Sequence, residues 1–283
     1  MISYAQNRED VLLNRLFPAD HKGFYIDVGA NHPILGSVTA HFYARGWRGI
    51  NVEPSCSYGQ VAQARTGDVN LQIALSNQTG TATFYEFPDA TGMSTLGPEA
   101  AAIGSDKLGY QCVPRTVPVT TLAQVCREHA PASIDFISID VEGHERQVLE
   151  GADFARYRPR VVVIEATQPH TTRESHEQWE AVLLSADYLF AFFDGLNRFY
   201  VRQEDAGLVP RLAVPANVFD DFVTYSEHCN MVQLQNLQLR LDTLEQIGPV
   251  SAAVARRINH FERRLPGLSN MLLQVRQRLA VKR

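Results

Sequence analysis

Four acidic residues stand at the ends of apolar runs, where their carboxylates could take part in chemistry. They close the runs FYIDV, INVE, FISID and VVVIE as Asp27, Glu53, Asp140 and Glu165. The carboxyl ends of parallel strands face one crevice, so these side chains are expected to converge on one pocket. Unpaired buried carboxylates are costly, so four of them indicate a site rather than packing.

The first two acids predict a nucleoside cofactor. They lie one strand–turn–helix–strand unit apart, and an acid that closes the second strand can accept hydrogen bonds from both ribose hydroxyls. The intervening loop, GANHPILG, lacks the early glycine pair of a dinucleotide fingerprint and contains a proline, which has no amide hydrogen. Asp27, just before the first glycine, would repel a phosphate but suits a cationic amino-acid group. The loop therefore favours S-adenosylmethionine over NAD.

The run DVEGHE, from Asp140 to Glu145, is the candidate reaction centre. If a methyl donor binds here and the acceptor is an alcohol, the acceptor oxygen must be deprotonated and well aimed. His144 could accept the proton. Alternatively, Asp140 and Glu165, with or without His144, could bind Mg²⁺ or Mn²⁺, which would lower the pKa of the alcohol. His144 could also simply cap or pack the next helix, and the sequence leaves this choice open.

Alternating apolar runs and amphipathic segments predict an α/β fold that places these residues. Strands are expected at 24–28, 49–52 and 69–75 and within IDFISID and RVVVIE, with helices at 37–45, 55–65, 121–129 and 174–186 and over HERQVLE. TGTATFYEF predicts a half-buried antiparallel strand, and residues 88–115 predict a loop over the site. YLFAFFDGLNRFYV predicts a hairpin with its turn at Asp194-Gly195. The sheet should be mostly parallel with an antiparallel edge.

The C-terminal part has a different composition. Residues 225–283 contain nine Lys/Arg and four Asp/Glu, whereas residues 1–224 contain 17 and 27. Three leucine-rich stripes in the C-terminal part are separated by Gly248-Pro249 and Pro266-Gly267, as in amphipathic, partly coiled-coil-like helices. We therefore predict two regions, a cofactor-binding domain at 1–224 and a helical tail at 225–283. The four scattered cysteines predict free thiols in a reducing compartment.

Several motifs in order resemble the FkbM-type S-adenosylmethionine-dependent methyltransferases. They are SYAQNREDVLL, FYIDVGANHP followed by Ser37 and Thr39, GWRGINVEP, IALSNQTGTATFY, MSTL, VTTL, IDFISIDVEGHERQVLEG and VVVIE, and they extend over most of residues 3–202. The resemblance implies a class I methyltransferase, Rossmann-like fold with a mostly parallel seven-stranded sheet and a C-terminal antiparallel hairpin. It also implies methyl transfer to a hydroxyl oxygen, often on a sugar, glycan or natural-product scaffold.

The resemblance also implies roles for individual residues. Those expected at the cofactor are Asp27, Gly29, Asn31, Ser37, Glu53, Pro54, Ala74, Leu75 and Ser76. Those expected at the reaction are Asp140, His144 and Glu165, the same three that could hold a metal ion. The sequence departs from the family at Ser138, where relatives frequently have a lysine. By their positions, His32 beside the cofactor loop and His170 after the Glu165 strand are weaker substrate-side candidates. The residues Tyr4, Gln6, Glu9 and Asp10 match an N-terminal signature that would cover the cofactor, but an amphipathic first helix explains their spacing equally well.

Other functions remain as alternatives. An NAD(P)-dependent oxidoreductase is disfavoured by the loop, and a non-catalytic scaffold working through its tail is disfavoured by the retained acids. The acidic body makes general nucleic-acid binding unexpected. No apolar run is long enough to span a membrane, and no secretory signal is evident, which predicts a cytoplasmic protein. The tail could form a homodimer, lie on the anionic inner membrane surface or bind an acidic partner.

Overall fold

Residues 1–169 and 171–246 are described by a computed structural model of the chain. The strands are β1 (Ile2–Ser3), β2 (Phe24–Val28), β3 (Arg48–Val52), β4 (Val69–Leu71), β5 (Ala74–Leu75), β6 (Gly80–Glu86), β7 (Val113–Thr120), β8 (Phe136–Ile139), β9 (Val161–Glu165), β10 (Tyr188–Phe193), β11 (Asn197–Arg202) and β12 (Val223–Thr224). The α-helices are α1 (Glu9–Asn14), α2 (Ala40–Ala44), α3 (Tyr58–Ala64), α4 (Pro98–Ala102), α5 (Leu122–His129), α6 (Glu145–Glu150), α7 (Glu180–Leu184), α8 (Val209–Leu212) and α9 (Tyr225–Gln246).

A seven-stranded sheet in the order β10-β11-β9-β8-β2-β3-β4 organises the first unit of the chain, residues 1–222. The strands from β9 to β4 are parallel, whereas β11 is antiparallel to both β9 and β10. The expected mixed α/β class is confirmed. The parallel order brings the carboxyl ends of β2, β3, β8 and β9 to one edge of the sheet, where the four acids lie or follow directly.

Both faces of the sheet are covered, which explains why its strands are continuous apolar runs. Along β9, Val162 and Ile164 point into one core, which also contains Trp179. Val161 and Val163 point into the opposite core, which contains Trp47. This burial on two sides fixes the register of each strand and therefore the position of the residue that follows it.

A second sheet departs from the expectation of one long loop over residues 88–115. It has three strands in the order β5-β7-β6, and β6 pairs antiparallel with β7 from Gly80–Val119 to Glu86–Val113. Strand β7 was not predicted because VPRTVPVT contains two prolines, which lack the amide hydrogen for strand pairing. Phe84 of β6 and Val117 and Val119 of β7 form a small core that stabilises the pair.

Two other expectations require correction in detail. The strand expected at 69–75 is divided, because β4 joins the seven-stranded sheet and β5 the second sheet. The region between β6 and β7 is not one loop: it contains a 3-10 turn at Thr91–Met93, helix α4 and a π-helical turn at Ile103–Lys107. Residues 87–112, between β6 and β7, therefore contain short helical elements beside the edge of the main sheet where its parallel strands end.

The second unit begins at Val223, and within it the structure describes β12 and α9. The first leucine stripe coincides with α9 up to Gln246, and its Leu237 is 50% exposed. Ile247 and the second and third stripes lie outside the described residues. The division of function between residues 1–224 and 225–283 stays a prediction. No helix of the described residues is sufficiently long and apolar to cross a membrane.

Candidate active site

The turn after β2 brings the cofactor loop against the turn after β8. Gly29 has φ +84°, and a Cβ on it would lie 1.8 Å from the carbonyl oxygen of Asp140. Its amide and that of Ala30 donate to the carbonyl of Val52, while the amide of Asp140 donates to that of Val28. Glycine is required because its hydrogen atom alone fits between the two turns. The donor and acceptor halves of the expected site are therefore joined by direct backbone contact.

Glu53 is held in a defined orientation at the end of β3. One carboxylate oxygen accepts a hydrogen bond from the amide of Asn31 at 2.7 Å, and the other accepts one from the amide of Ser55 at 2.8 Å. The side chain is 5% exposed, and burial raises its pKa while these hydrogen bonds lower it. The Ser55 hydroxyl is a third donor to this carboxylate. Two carboxylate oxygens offer about four lone pairs, so capacity for a ligand hydroxyl remains.

Asp27 is buried beneath the same loop and is oriented by a hydroxyl. The Thr39 hydroxyl donates to its carboxylate at 2.6 Å, and burial raises the pKa of Asp27 to about 6. The Ser37 hydroxyl lies 3.3 Å from that of Thr39. Asp27 can therefore place a negative charge near the floor of the cleft, although part of its hydrogen-bonding capacity is already used by Thr39.

Arg65, which was not predicted as a site residue, organises this loop from below. Its guanidinium donates to the carbonyl of Pro33 at 2.7 Å, the Ser37 hydroxyl at 3.2 Å and the carbonyl of Thr39 at 3.4 Å. It also stacks on the ring of Tyr43, 4.7 Å from the ring centre. Arg65 is only 3% exposed. A lone arginine at the end of a helix gives no sequence signal for this role, because its partners come from another segment and are mostly backbone carbonyls.

An open cleft of about 990 Å³, including the part open to solvent, lies above these residues. Nearly all the residues expected at the cofactor line it, namely Asp27, Gly29, Asn31, Ser37, Glu53, Pro54, Ala74 and Leu75. Ser76 does not line the cleft, and its hydroxyl contacts His144 instead. No Lys or Arg is found among the described residues that line the cleft, whereas four acids are. The cleft therefore favours a cationic ligand and disfavours a pyrophosphate.

The layer between β6 and β7 forms one wall of the cleft. The Thr91 hydroxyl donates to the side-chain oxygen of Asn31 at 2.7 Å, and the Thr95 hydroxyl donates to the carbonyl of Glu142 at 2.9 Å. Thr91, Ser94, Thr95 and Leu96 all line the cleft. These wall residues connect the loop after β2 to the turn after β8. The sequence predicted a loop over the site at residues 88–115 but did not identify which of its residues would make these contacts.

The turn after β8 carries two of the residues expected at the reaction, Asp140 and His144. Asp140, Glu142 and His144 line the cleft, and Asp140 is accessible through it. Glu142 and Gly143 have φ values of +52° and +92°, and the turn is held by Glu145, which accepts from the amides of Val141 and Gly143. Desolvation by the surrounding protein raises the pKa of Asp140 to about 6 and that of Glu142 to about 9. The tight turn therefore presents acid groups and an imidazole to the same space.

Glu165 lies behind this turn rather than in the cleft wall. It is 7% exposed, and its Oε2 atom is buried without a hydrogen-bond partner among the described residues. One oxygen each of Glu165, Asp140 and Glu142 lie within 4.8 Å of one another. The structure therefore brings Asp140 and Glu165 together, as the version of the expectation without His144 has it, and adds Glu142, while His144 is not part of this group. Glu142 takes the third place because the left-handed turn brings its carboxylate back towards β9.

His144 instead contacts the residue that follows β5. Its Nε2 lies 3.1 Å from the Ser76 hydroxyl, and burial lowers its pKa, so the imidazole is neutral near pH 7. If Ser76 donates to Nε2, the proton of the ring is on Nδ1; if Nε2 donates to Ser76, Nδ1 is the free base. His144 precedes α6 but makes no side-chain hydrogen bond as its cap. The structure thus gives no support to a capping role.

Comparison with known proteins gives the family. The family model of the methyltransferase FkbM domain matches residues 27–190, more than half of the chain. The chain belongs to the FkbM methyltransferase family. The match extends from Asp27 in β2 to Phe190 in β10, so it contains the turns after β2 and β8 and all four strand-end acids.

Two proteins illustrate the similarity. A methyltransferase named sdnD from Sordaria araneosa is 31% identical over 186 residues, which cover 54% of this chain and 70% of that protein. A crystal structure of methyltransferase FkbM from Methylobacillus flagellatus KT is also similar, with 15% identity and a TM-score of 0.40. That similarity covers 64% of this chain and 43% of that one, so the chain spans less than half of that protein's length.

The N-terminal candidates divide into one residue that lines the cleft and others that do not. Gln6 lines it. Asp10 instead accepts bonds from the Ser3 hydroxyl and the Tyr4 amide, and Glu9 accepts one from the Asn197 side chain. These two acids therefore fix the N-terminal segment of this FkbM-family chain rather than contact a ligand.

The two histidines that were weaker substrate-side candidates gain no support. His32 does not line the cleft, and its Nδ1 accepts bonds from the amides of Ile34 and Leu35 at 3.0 and 2.8 Å. His170 lies outside the described residues. Ser138 lies in β8 and lines the cleft, so no positive charge stands beside Asp140 at that position.

Proposed function

We propose that the protein transfers a methyl group from S-adenosylmethionine to a hydroxyl oxygen of its acceptor. The observation that carries this proposal is the charge of the cleft: its described lining contains four acids and no Lys or Arg. S-adenosylmethionine has a sulfonium and an α-ammonium but no phosphate, so this lining suits it. A dinucleotide would place its pyrophosphate against carboxylates, which supports the methyl donor over NAD(P).

The residues at the donor end fit the cofactor by the chemistry of their free atoms. Glu53 would accept a bond from the ribose hydroxyls, because its carboxylate is oriented by two backbone amides and keeps unused hydrogen-bonding capacity. Asp27 and Asn31 would lie at the methionine end, and Ala74 and Leu75 beside the adenine. When bound, S-adenosylmethionine supplies an electrophilic methyl group.

His144 is the proposed base. It would take the hydroxyl proton of the acceptor on the free nitrogen of its imidazole, so that the oxygen could attack the methyl group that the cofactor would supply. Burial keeps His144 neutral, so it can take that proton near pH 7. Asp140, also at the cleft surface, would accept a hydrogen bond from the hydroxyl and aim it. Glu165 does not reach the cleft, so we propose no direct contact between it and the acceptor.

The acceptor is proposed to be a sugar, a glycan or a natural-product scaffold. The threonine and serine hydroxyls of the wall at residues 91–95 offer hydrogen bonds to a hydroxyl-rich molecule. We place the reaction in the cytoplasm, with contact to the inner membrane surface through the basic tail as a further proposal. Self-association through the tail is proposed from the exposed apolar residues of α9, such as Leu237 and Leu239.

Isothermal calorimetry tests the donor. S-adenosylhomocysteine should bind and NAD should not, and Glu53→Gln should weaken that binding by roughly ten- to a hundredfold, because a hydrogen bond to a charged group contributes about 1.5–3 kcal/mol. Glu128→Gln, on the exposed side of α5, is the control. Binding of NAD alone would overturn the proposal. Intact-mass measurement after incubation with hydroxylated sugars and glycans then tests methyl transfer.

Light scattering tests the tail. The full-length protein should have the mass of a dimer, and Leu237→Glu should convert it to a monomer, because a charge in an apolar interface is costly. The same substitution at Leu184, which is 49% exposed in the first unit, is the control. A monomeric parent protein would contradict self-association.

A further inference from the structure

Three carboxyl groups, two in the turn after β8 and one behind it, are close together without a positively charged partner among the described residues. The closest oxygens of Asp140, Glu142 and Glu165 lie within 4.8 Å of one another. None of the three takes part in an ion pair found among the described residues. The carboxyl groups of Asp140 and Glu165 are hydrogen-bonded to each other, which requires a proton on one of them. As three carboxylates the side chains would repel one another, and a shared cation would remove that repulsion.

Glu165 supplies an independent observation. It is 7% exposed, and its Oε2 is a buried oxygen that no donor of the described residues reaches. A buried carboxylate oxygen is normally satisfied, because an unmade hydrogen bond costs about 1–3 kcal/mol and more for a charged group. The unpartnered oxygen belongs to a side chain grouped with Asp140 and Glu142, which points to a ligand that the three share.

We propose that Asp140, Glu142 and Glu165 bind one hard divalent cation, of the Mg²⁺ or Ca²⁺ class. Both ions prefer carboxylate oxygens. Oxygens on opposite sides of such an ion are about 4.2 Å apart for Mg²⁺ and about 4.6–5.2 Å apart for Ca²⁺, from bond lengths of about 2.1 and 2.3–2.6 Å. Each pair of the three oxygens lies within 4.8 Å, a separation that oxygens bound to one Ca²⁺ can have and that is close to the largest separation for Mg²⁺.

The position of the site gives the cation a role in the proposed methyl transfer, on which this part of the inference rests. Asp140 and Glu142 line the cleft, whereas Glu165 closes the rear. Three protein oxygens leave coordination positions open towards the cleft, where an acceptor hydroxyl can bind. Coordination lowers the pKa of that hydroxyl, so its proton is lost more readily during methyl transfer.

Binding of the cation can be measured without turnover. The full-length protein is titrated with MgCl2, CaCl2 and MnCl2 by calorimetry, with Mn²⁺ followed also by electron paramagnetic resonance. We expect one site per chain, and a loss of affinity of at least tenfold in Glu165→Gln. Because a glutamine side chain has the same shape as the one it replaces and carries no charge, the thermal midpoint of the variant without metal should be unchanged or higher. The rise in thermal midpoint on adding metal should disappear.

Glu53→Gln is the matched control, since it also neutralises a buried acid at a strand end of the same sheet edge. Glu53→Gln should keep cation binding and lose affinity for S-adenosylhomocysteine. Glu165→Gln should lose cation binding and keep its affinity for S-adenosylhomocysteine. Absence of binding of all three ions at about 10 mM, above the range of even weak Ca²⁺ sites, would overturn the cation site, as would binding that Glu165→Gln leaves unchanged. If the protein still binds S-adenosylhomocysteine in that case, only the cation site is refuted and the proposed function stands.

Discussion

The contact between Gly29 and Asp140 gives the sharpest prediction, because one added methyl group tests the joint between the two halves of the site. Gly29→Ala forces a side chain into a left-handed conformation, which costs about 1–2 kcal/mol. It also places a carbon 1.8 Å from the Asp140 carbonyl oxygen, and such overpacking adds about 1–3 kcal/mol or more. We expect the free energy of unfolding to fall by about 2–5 kcal/mol, the sum of these two costs.

Gly109→Ala separates these two contributions. Gly109 has φ +75°, close to the +84° of Gly29, but nothing lies within 4 Å of an added Cβ. It should therefore lose only the conformational part, about 1–2 kcal/mol. Urea denaturation of the two variants and the parent gives the free energies, and calorimetry gives the affinity for S-adenosylhomocysteine.

The steric clash in Gly29→Ala should also change the position of the residues proposed to bind the methyl donor. To accommodate the methyl group, the turn after β2 must move away from the turn after β8, and this displaces the amide of Asn31 that orients Glu53. We expect Gly29→Ala to weaken binding of S-adenosylhomocysteine by at least about tenfold, whereas Gly109→Ala should not. Equal destabilisation in both variants, with donor affinity retained, would refute the close approach of the two turns.

Three further predictions concern single residues. Arg65→Lys should weaken binding of S-adenosylhomocysteine several-fold, because an ammonium group cannot make the three hydrogen bonds of the guanidinium and also stack on Tyr43. Arg48, which is exposed and lies over the same ring, provides the control: Arg48→Lys should leave this binding unchanged. His144→Ala should lower kcat by about 10²–10⁴ while donor affinity is retained, and unchanged kcat would rule it out as the base. Burial and the nearby Asp194 raise the pKa of Glu9 to about 8, so its contribution to stability is present below pH 4.5 and is lost as the pH rises through about 8. Glu9→Gln should flatten the decrease of the thermal midpoint across this window, and an unaltered pH profile would contradict the raised pKa.

Much of the donor half was predictable from local sequence. The chain from Asp27 to Glu53 has the order of a known unit: an apolar strand, a glycine turn, a helix and a second apolar strand. Strand length and the right-handed connection set the geometry of this unit. Its two acids had to meet at one sheet edge, and both line the cleft. The hairpin of β10 and β11 was equally predictable, because its strands are separated by a turn at Asp194-Gly195.

The wall of the cleft was not predictable in the same way. The prolines of VPRTVPVT concealed β7, whose pairing with β6 depends on a partner about 30 residues away. Arg65 gave no signal because it binds backbone carbonyls that only folding brings near it. Pairing and burial of this kind depend on distant parts of the chain, so neither local composition nor spacing reveals them.

The acids at the strand ends could be identified from the order of residues, since alternating strands and helices leave few positions for them. Which of these acids lie close together depends on how the folded chain directs their side chains. Glu142 joins Asp140 and Glu165 because a left-handed turn reverses its direction, and His144 turns instead to Ser76. Side-chain direction after a turn depends on φ and on the neighbours that the fold supplies, and that is why the acid group could be located from sequence but its third member could not.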